Sequence, residues 1–351
     1  MIRIGVNALY LIPGGVGGTE IYLRNLLQAL SEIDAVNQYV VFTNRETGAD
    51  LIPRRPNFAA APQPVRASFR AARILWEQLF LPFAARKQRL NILFNPGFTA
   101  PLLCGRPMVT VFHDLQHKRH PEYFRWFDLP FWNFFLWAAA RRSRGLIAVS
   151  QATADDVQHY YGRGARVIYH GVERQFFEIA EQRDPKDYIL CVSTTHPHKN
   201  LERLLRVHAQ MKDAPKLVLT GVRGFAAREI ETFAGATVQL TGWIPREQLY
   251  EIYRGALGFI YPSTFEGFGM PVLEAMAAAV PVACSDIPPL REIARSTVHF
   301  FDPANDREIR DAILLVASGK ISTDAAQRRA AGFTWTKTAR ATLDYLSRSS
   351  S

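Results

Sequence analysis

Cysteine is scarce in this chain: Cys104, Cys191 and Cys284 are the only three in 351 residues, far apart and without a C-x-x-C pair. That spacing excludes a zinc ribbon and a disulfide framework. Free thiols in a chain of this size suit a reducing cytoplasm. Long apolar runs are also missing. The most apolar stretch, Trp126 to Ala140, carries Asp128, Pro130 and Asn133 and is too short to span a bilayer. Met1-Ile2-Arg3-Ile4-Gly5 lacks the apolar core of a secretory signal. The sequence therefore reads as a soluble protein, or at most one attached to a membrane surface. Glycine and proline, at 22 and 21 residues, are near average, which excludes a collagen-like or low-complexity chain. No RNA- or DNA-binding module is visible, so no nucleic-acid partner is expected.

What is present is an ordinary globular composition, 48% apolar and 21% charged, at a length that predicts two domains. The net charge of +10 is uneven. Residues 1–170 hold 20 lysines and arginines against 11 acids, whereas 171–351 hold 22 against 21. A basic first half suits an acidic substrate or an anionic membrane surface. Aromatic and basic residues interleave from Lys118 through Phe127, continue through Phe131-Trp132, Phe134-Phe135 and Trp137, and end at Arg141-Arg142 and Arg144. This pattern fits interfacial insertion, and equally a core helix with a solvated basic end.

Short β-branched runs alternate with helical patterns. Ile2–Val6 reads as a strand, Gly14-Gly15-Val16-Gly17-Gly18 as a glycine-rich loop, and Thr19–Leu27 as a helix. Further strands are predicted at Tyr39–Thr43, Ile92–Phe94, Val109–Phe112 and Leu146–Val149. The pattern restarts with Tyr188–Val192, a helix from Asn200 to Met211, and strands at Lys216–Thr220, Val238–Leu240, Gly258–Tyr261 and Val280–Ala283. Two successive doubly wound units, joined near His170–Pro185, are the simplest account. Ligands bind such sheets at the carboxyl ends of the strands.

The most informative stretch runs from Tyr261 to Ala277. A strand ends at Tyr261, a loop with Gly267 and Gly269 follows, and Pro271 is suited to open a helix. The two glycines allow close backbone approach to a ligand, and a helix start suits a phosphate. Glu266 and Glu274 bracket the loop. A phosphate between them would leave each carboxylate free to accept hydrogen bonds from hydroxyls, of a sugar at one end and a ribose at the other.

Glu266 and Glu274, with G-F-G-M-P-V-L between them, resemble the E-x7-E motif of retaining glycosyltransferases of family 4. The resemblance extends over most of the chain. The loop Gly14–Gly18 resembles the family's N-terminal glycine loop, and His113-Asp114-Leu115 its H-D-L segment. Val149-Ser150 with Thr153 and Asp155 is similar to V-S-x-x-T-x-x-D, and His170-Gly171-Val172 to the N-G-V turn. Lys199-Asn200-Leu201 resembles the P-R-K-N-L segment, and Phe333-Thr334-Trp335 the closing F-S-W helix.

The resemblance implies a GT-B fold, two Rossmann-like doubly wound parallel-sheet domains facing a central cleft. The acceptor domain would span 1–172, with a C-terminal helix, 335–351, packing back on it, and the donor domain 173–334. It further implies that Glu274 binds the donor ribose, that Glu266 holds the transferred sugar, and that Lys199 neutralises the leaving diphosphate with the backbone of Gly267, Phe268, Gly269 and Met270, at the helix start with Pro271. Ser193 and Thr194 would line the donor, and Trp243 and Ile244 the nucleobase. His113 would lie beside the sugar, and Gly15, Gly17 and Gly18 near the diphosphate or acceptor. The donor would be GDP-mannose or a UDP-hexose, and the acceptor a glycan or lipid-linked glycan at the cytoplasmic face of the plasma membrane. No metal or other cofactor is expected, since no Asp-x-Asp is present.

The chain departs from the family pattern in one segment. His198 stands where an Arg usually precedes the Lys, and Ser193 where a Gly is usual. Either Lys199 and backbone groups suffice, or another cation such as Arg223 reaches in. Two other functions remain open on the sequence, a nucleotide-sugar epimerase of the same architecture and a non-catalytic sugar-binding scaffold. A zinc site on His113 and His117 would need both on one helix, and they instead follow a strand.

Overall fold

A computed structural model describes residues 1–350 apart from Val16, Arg223 and Phe225, with the side chains of Ala49 and Glu229 also left undescribed. The suggested phosphate contact from Arg223 therefore lies outside the described residues. The chain divides into two compact units, Met1–Gly171 with Trp335–Ser351, and Val172–Thr334.

The strands of the first unit are β1 (Arg3–Asn7), β2 (Gln38–Thr43), β3 (Phe58–Pro62), β4 (Ile92–Asn95), β5 (Met108–Phe112), β6 (Gly145–Ala148) and β7 (Arg166–Val167). They form one parallel sheet in the order β3-β2-β1-β4-β5-β6-β7. β4, β5 and β6 are buried at every residue, as strands covered on both faces by helices must be. The helix Gly18–Ile33 follows the glycine loop and buries Tyr22, Leu23, Leu26, Leu27 and Leu30, spaced three, four and seven apart. The helix Trp335–Ser350 packs on it through a stripe of the same period, Trp335, Thr338, Ala339, Thr342 and Leu346. Thr338 Oγ1 also donates to the carbonyl of Tyr169 at 2.7 Å.

The second unit repeats the plan. Its strands are β8 (Tyr188–Val192), β9 (Lys216–Thr220), β10 (Val238–Gly242), β11 (Gly258–Tyr261), β12 (Val282–Ser285) and β13 (His299–Phe301), all parallel in the order β10-β9-β8-β11-β12-β13. Its core gathers Ile189, Leu204, Leu205, Leu217, Ile260, Ile309 and Ile313 from the sheet and the helices on it. In both sheets the strand order reverses beside the first strand, between β1 and β4 and between β8 and β11. The crevice outside the carboxyl ends of such a pair is where doubly wound sheets take ligands.

The α/β reading with two doubly wound parallel sheets therefore holds. Three strands escaped the sequence, β3, β7 and β13. All three lie at sheet edges: β3 is rich in alanine and proline, β13 is three residues long and β7 only two. The strand expected at Val280–Ala283 begins two residues later, because Pro281 cannot donate to the ladder.

Candidate functional site

In the second unit, the loops after β8 and β11 meet. Lys199 closes a short turn, Pro197–Lys199, after β8, and Glu266 lies in the loop after β11. Lys199 Nζ donates to Glu266 Oε1 at 2.6 Å and to the Tyr261 hydroxyl at 3.2 Å. Both charged side chains are largely buried, 13% and 9% exposed, so their charges act in a medium that screens them weakly. The loops are tied together by main chain as well as by charge. The carbonyl of His198 accepts from Thr264 N at 2.8 Å and Thr264 Oγ1 at 3.0 Å. Asn200, at φ 55°, bridges the carbonyls of Pro262 and Pro303. His198, at the family's arginine position, is buried and stacks on His196 with ring centroids 5.8 Å apart.

The loop after β11 turns into the helix Met270–Ala277 at Gly269, whose φ of 102° is left-handed. A Cβ there would meet Leu290 Cδ2 at 2.3 Å. Met270 is the first helical residue and Pro271 the second, one position later than the sequence suggests. Val272 N and Leu273 N turn back to the carbonyl of Gly269, and Pro271 has no N–H. The positive end of the helix therefore lies directly after the loop that carries Gly267, which is half-buried. Phe268 is buried with its ring against Phe333 at 6.2 Å, a contact that pins this loop.

Glu274, one turn into the helix, is 4% exposed. Its Oε1 accepts from Arg246 at 2.7 Å and its Oε2 from the Tyr253 hydroxyl at 3.1 Å. Arg246 also donates to Glu173 Oε1 at 2.6 Å, and the Tyr250 hydroxyl donates to the same Glu173. Burial raises the Glu274 carboxyl above its ordinary range, opposed by the Arg246 charge. Arg246 is itself held charged by the two carboxylates against the cost of burial. Each of the two carboxylates thus has a cation on it, because a buried carboxylate without a partner is too costly. The sequence points to Glu266, Glu274 and Lys199 but not to Arg246, Tyr253 and Glu173. The available signal was a cation directly after Trp243-Ile244-Pro245, at the start of the helix Arg246–Gly255.

The other second-unit residues that the resemblance singles out follow the carboxyl ends of β8 and β10. Ser193 follows β8, and its N–H is spent on the carbonyl of Thr220 at 2.8 Å. The Thr194 carbonyl accepts from His196 N at 2.9 Å. Gly221, just past β9, has φ 147°, and a Cβ on it would lie 2.0 Å from the Ser193 carbonyl. That close approach lets the ends of β8 and β9 converge. Trp243 follows β10 and is 59% exposed, while Ile244 is half-buried.

In the first unit, His113 follows β5 with 7% exposure, its ring among Tyr22, Phe98 and His170 at centroid distances of 5.0, 5.1 and 5.6 Å. Its Nε2 meets the Pro96 carbonyl at 2.8 Å. A carbonyl only accepts, so Nε2 carries the proton. Burial lowers His113 to about 4, so the ring is neutral at pH 7. His117 lies on a separate helical turn, Gln116–Arg119, and contacts the Tyr161 hydroxyl at 2.9 Å, so the two histidines do not share a helix face. The glycine loop closes through Gly14 N to Glu20 at 2.8 Å and Gly15 N to the Ile12 carbonyl at 2.8 Å. Gly17, at φ 60°, caps the helix that Gly18 opens. Ser150 caps the helix Gln151–Tyr161 by accepting from Thr153 N. The spacing V-S-x-x-T-x-x-D from Val149 falls on Asp156 rather than Asp155, and Asp156 is the buried one, paired with Arg119, while Asp155 bonds Gln151.

A buried Lys–Glu pair at a sheet switch point, next to a helix start, suits a site for an anionic ligand, and comparison with known proteins names the family. Residues 172–332 match the description "Glycosyl transferases group 1", and residues 16–176 match "Glycosyltransferase Family 4". The chain belongs to the group 1 glycosyltransferases. This group 1 chain is 26% identical over 223 residues to the O-antigen chain mannosyltransferase RfbU of Salmonella typhimurium, covering 61% of its own length and 62% of the relative's. It thus spans less than two thirds of that protein. It is 27% identical over 285 residues to O-antigen chain mannosyltransferase B of Escherichia coli, covering 72% and 73%. In fold it is similar to Anabaena HepE, described in complex with UDP and glucose, with a TM-score of 0.77 and 19% identity over 99% of this chain and 100% of the other. These neighbours place the two sheets in the GT-B class.

Proposed function

We propose that the protein transfers a hexose from a nucleoside diphosphate sugar to a glycan, with retention at the anomeric carbon and without a metal. The observation that carries this reading is the 2.6 Å pair between Lys199 and Glu266 at the carboxyl ends of β8 and β11. The C1–O bond to the diphosphate breaks, the bond from C1 to the acceptor oxygen forms on the same face, and the acceptor proton leaves with the departing phosphate. Lys199 and the main-chain N–H groups of Gly267 to Met270 stabilise the charge that develops on the diphosphate, as fixed dipoles and a weakly screened cation do. Glu266, oriented by Lys199, accepts from the sugar hydroxyls. Glu274, held by Arg246 and Tyr253, accepts from the ribose. Ser193, Thr194 and Pro271 line the donor, and Trp243 and Ile244 flank the base. In the first unit, His113 is assigned to the transferred sugar, and Gly15, Gly17 and Gly18 to the diphosphate or acceptor, by family resemblance.

Mannose is the first sugar to test, since the Salmonella and Escherichia relatives are named mannosyltransferases, and a UDP-hexose is the second, since HepE is described with UDP and glucose. The absence of an Asp-x-Asp supports a role for Lys199 in place of a metal. The acceptor reading is a lipid-linked or polysaccharide glycan at the inner face of the plasma membrane. The three free, buried cysteines support the cytoplasmic side. Among the described residues no helix is long and apolar enough to cross a membrane.

The test is release of nucleoside diphosphate from a panel of GDP- and UDP-sugars with excess EDTA, with the first-formed anomer read by NMR. Release from one donor, unaffected by EDTA and with the donor's anomeric configuration kept, is the expected result. Inversion, or loss of release in EDTA, overturns the retaining or metal-free part. Conversion of the sugar without diphosphate release assigns the site to an epimerase, and no release from any donor assigns it to a scaffold.

A further inference from the structure

The first unit has an apolar surface that its own fold does not cover. The helices Arg70–Leu79 and Leu81–Lys87 run on through Phe80, since Phe80 N reaches the Trp76 carbonyl and Ala84 N the Phe80 carbonyl. Leu75, Leu79 and Phe83, four residues apart, form an outward stripe with exposures of 57%, 50% and 67%. Phe69 and Phe80 add to it. The helix Leu129–Arg142 buries Leu136 and Ala138 to Ala140 and turns Phe134 and Trp137 outward. Before it stand Trp126 and Phe127, at 83% and 55% exposure.

These segments adjoin. The Arg70 guanidinium lies 4.1 Å from the Trp132 ring centroid. Gln78 bonds the Ala100 carbonyl and Leu102 N, tying the first helix to the loop at 100–103. That loop and the helix Leu129–Arg142 border a hollow of about 480 Å³ lined by Leu102, Leu103, Phe134 and Trp137 and edged by Arg141 and Arg142.

Charge decides what the surface fits. Residues 64–144 hold 13 lysines and arginines against four acids, an excess of nine that accounts for the whole excess of residues 1–170. Of the four acids, Glu77 is buried, Asp128 faces Arg70 and Glu122 pairs with His120. A second copy meeting the surface face to face would set these cations against their own images. An anionic bilayer supplies the opposite charge and takes up Trp and Phe side chains at its interface.

We propose that this face, helices 70–87 and 129–142 with Trp126 and Phe127 and the loop at 100–103, docks the protein on an anionic lipid bilayer, aromatic tips in the headgroup layer and arginines on the phosphates. This deepens the acceptor reading above and rests on it for its purpose only, since docking is measured without sugar transfer.

The test is co-sedimentation of the full chain with vesicles of phosphatidylcholine alone and of phosphatidylcholine with about one third phosphatidylglycerol, at low salt and at about 0.5 M salt, where screening shortens to a few Å. Two variants are compared, Arg141→Glu/Arg142→Glu and Trp126→Ser/Phe127→Ser, each checked for an unchanged unfolding midpoint. The wild type should partition onto anionic vesicles about tenfold or more above neutral ones, with tryptophan emission shifted to the blue and binding weakened by salt. Each variant should lower that partition about tenfold. Absence of binding, equal binding to both vesicles, or variants that bind as the wild type does would overturn the proposal. Self-association that the variants abolish, without vesicle binding, gives the face to a second copy and overturns it as well. Nucleoside diphosphate release in vesicle-free solution is read in parallel: release with no docking sinks this inference alone, and docking with no release sinks the transfer reading alone.

Discussion

Lys199 and Glu266 are 67 residues apart in sequence and 2.6 Å apart in the fold. One follows β8 and the other β11, the two strands between which the order of the second sheet reverses. The topology thus places a cation and a carboxylate where a doubly wound sheet takes its ligand, and the helix after Gly269 brings its positive end beside the same loop.

Arg246 carries a second pairing, and its loss should be felt as stability. Arg246→Ala leaves Glu274 buried beside Glu173 with no cation, which should cost about 3 kcal/mol. The Glu274 carboxyl, already raised by burial, rises further in the variant. A carboxyl raised on folding gives stability that is full below its unfolded value and is lost as pH rises through the folded one. Urea unfolding should therefore show a larger deficit at pH 8 than at pH 5. An equal deficit at both would mean that Glu274 is not the group left exposed.

His113 acts with the opposite sign. Its folded value of about 4 lies below the ordinary 6.5, so its contribution is present above pH 6.5 and lost as pH falls toward 4. His117, also lowered to about 4, and His170 add to the same trend. From pH 7 to 4.5, the His113 share of the lost stability should be about 2–3 kcal/mol. His113→Gln should flatten the slope of stability against pH by about one proton. An unchanged slope would show that the ring is not held neutral by burial.

Gly269→Ala should destabilise the second unit by about 1–3 kcal/mol, because φ 102° is strained for any Cβ and the added methyl runs into Leu290. Donor affinity should fall with it, since the same residue aims the helix start. Calorimetric titration with the nucleoside diphosphate, beside thermal unfolding, reads both. A variant with wild-type stability and affinity would remove Gly269 from the account.

Much of this was legible in the sequence, and the reasons are local. The central strands, β1, β4 to β6, β8, β9 and β11, are apolar runs bounded by turn residues. The E-x7-E stretch spans a single loop and helix start, so its geometry is carried by nearest neighbours. What stayed hidden is long-range or weakly patterned. Phe58–Pro62 is mostly alanine and proline, and it becomes a strand only because β2 offers an edge. Arg246 meets Glu274 across 28 residues and Glu173 across 73, and spacing along a chain does not show such a meeting. The aromatic segment at 126–142 is neither wholly core nor wholly interface: Leu136 and Ala138 to Ala140 face in, whereas Trp126 and Trp137 face out. Sequence periodicity could not divide them, because aromatic residues occupy both faces.

The central claim is that the Lys199–Glu266 pair is where the sugar leaves its diphosphate. The most direct measurement is the rate of nucleoside diphosphate release from the preferred donor by the wild type, Lys199→Ala and Glu266→Gln, with folding checked by circular dichroism. Both variants should stay folded and lose about 100-fold or more in rate, as removal of groups that stabilise developing charge does. Folded variants that release diphosphate at the wild-type rate would contradict the claim.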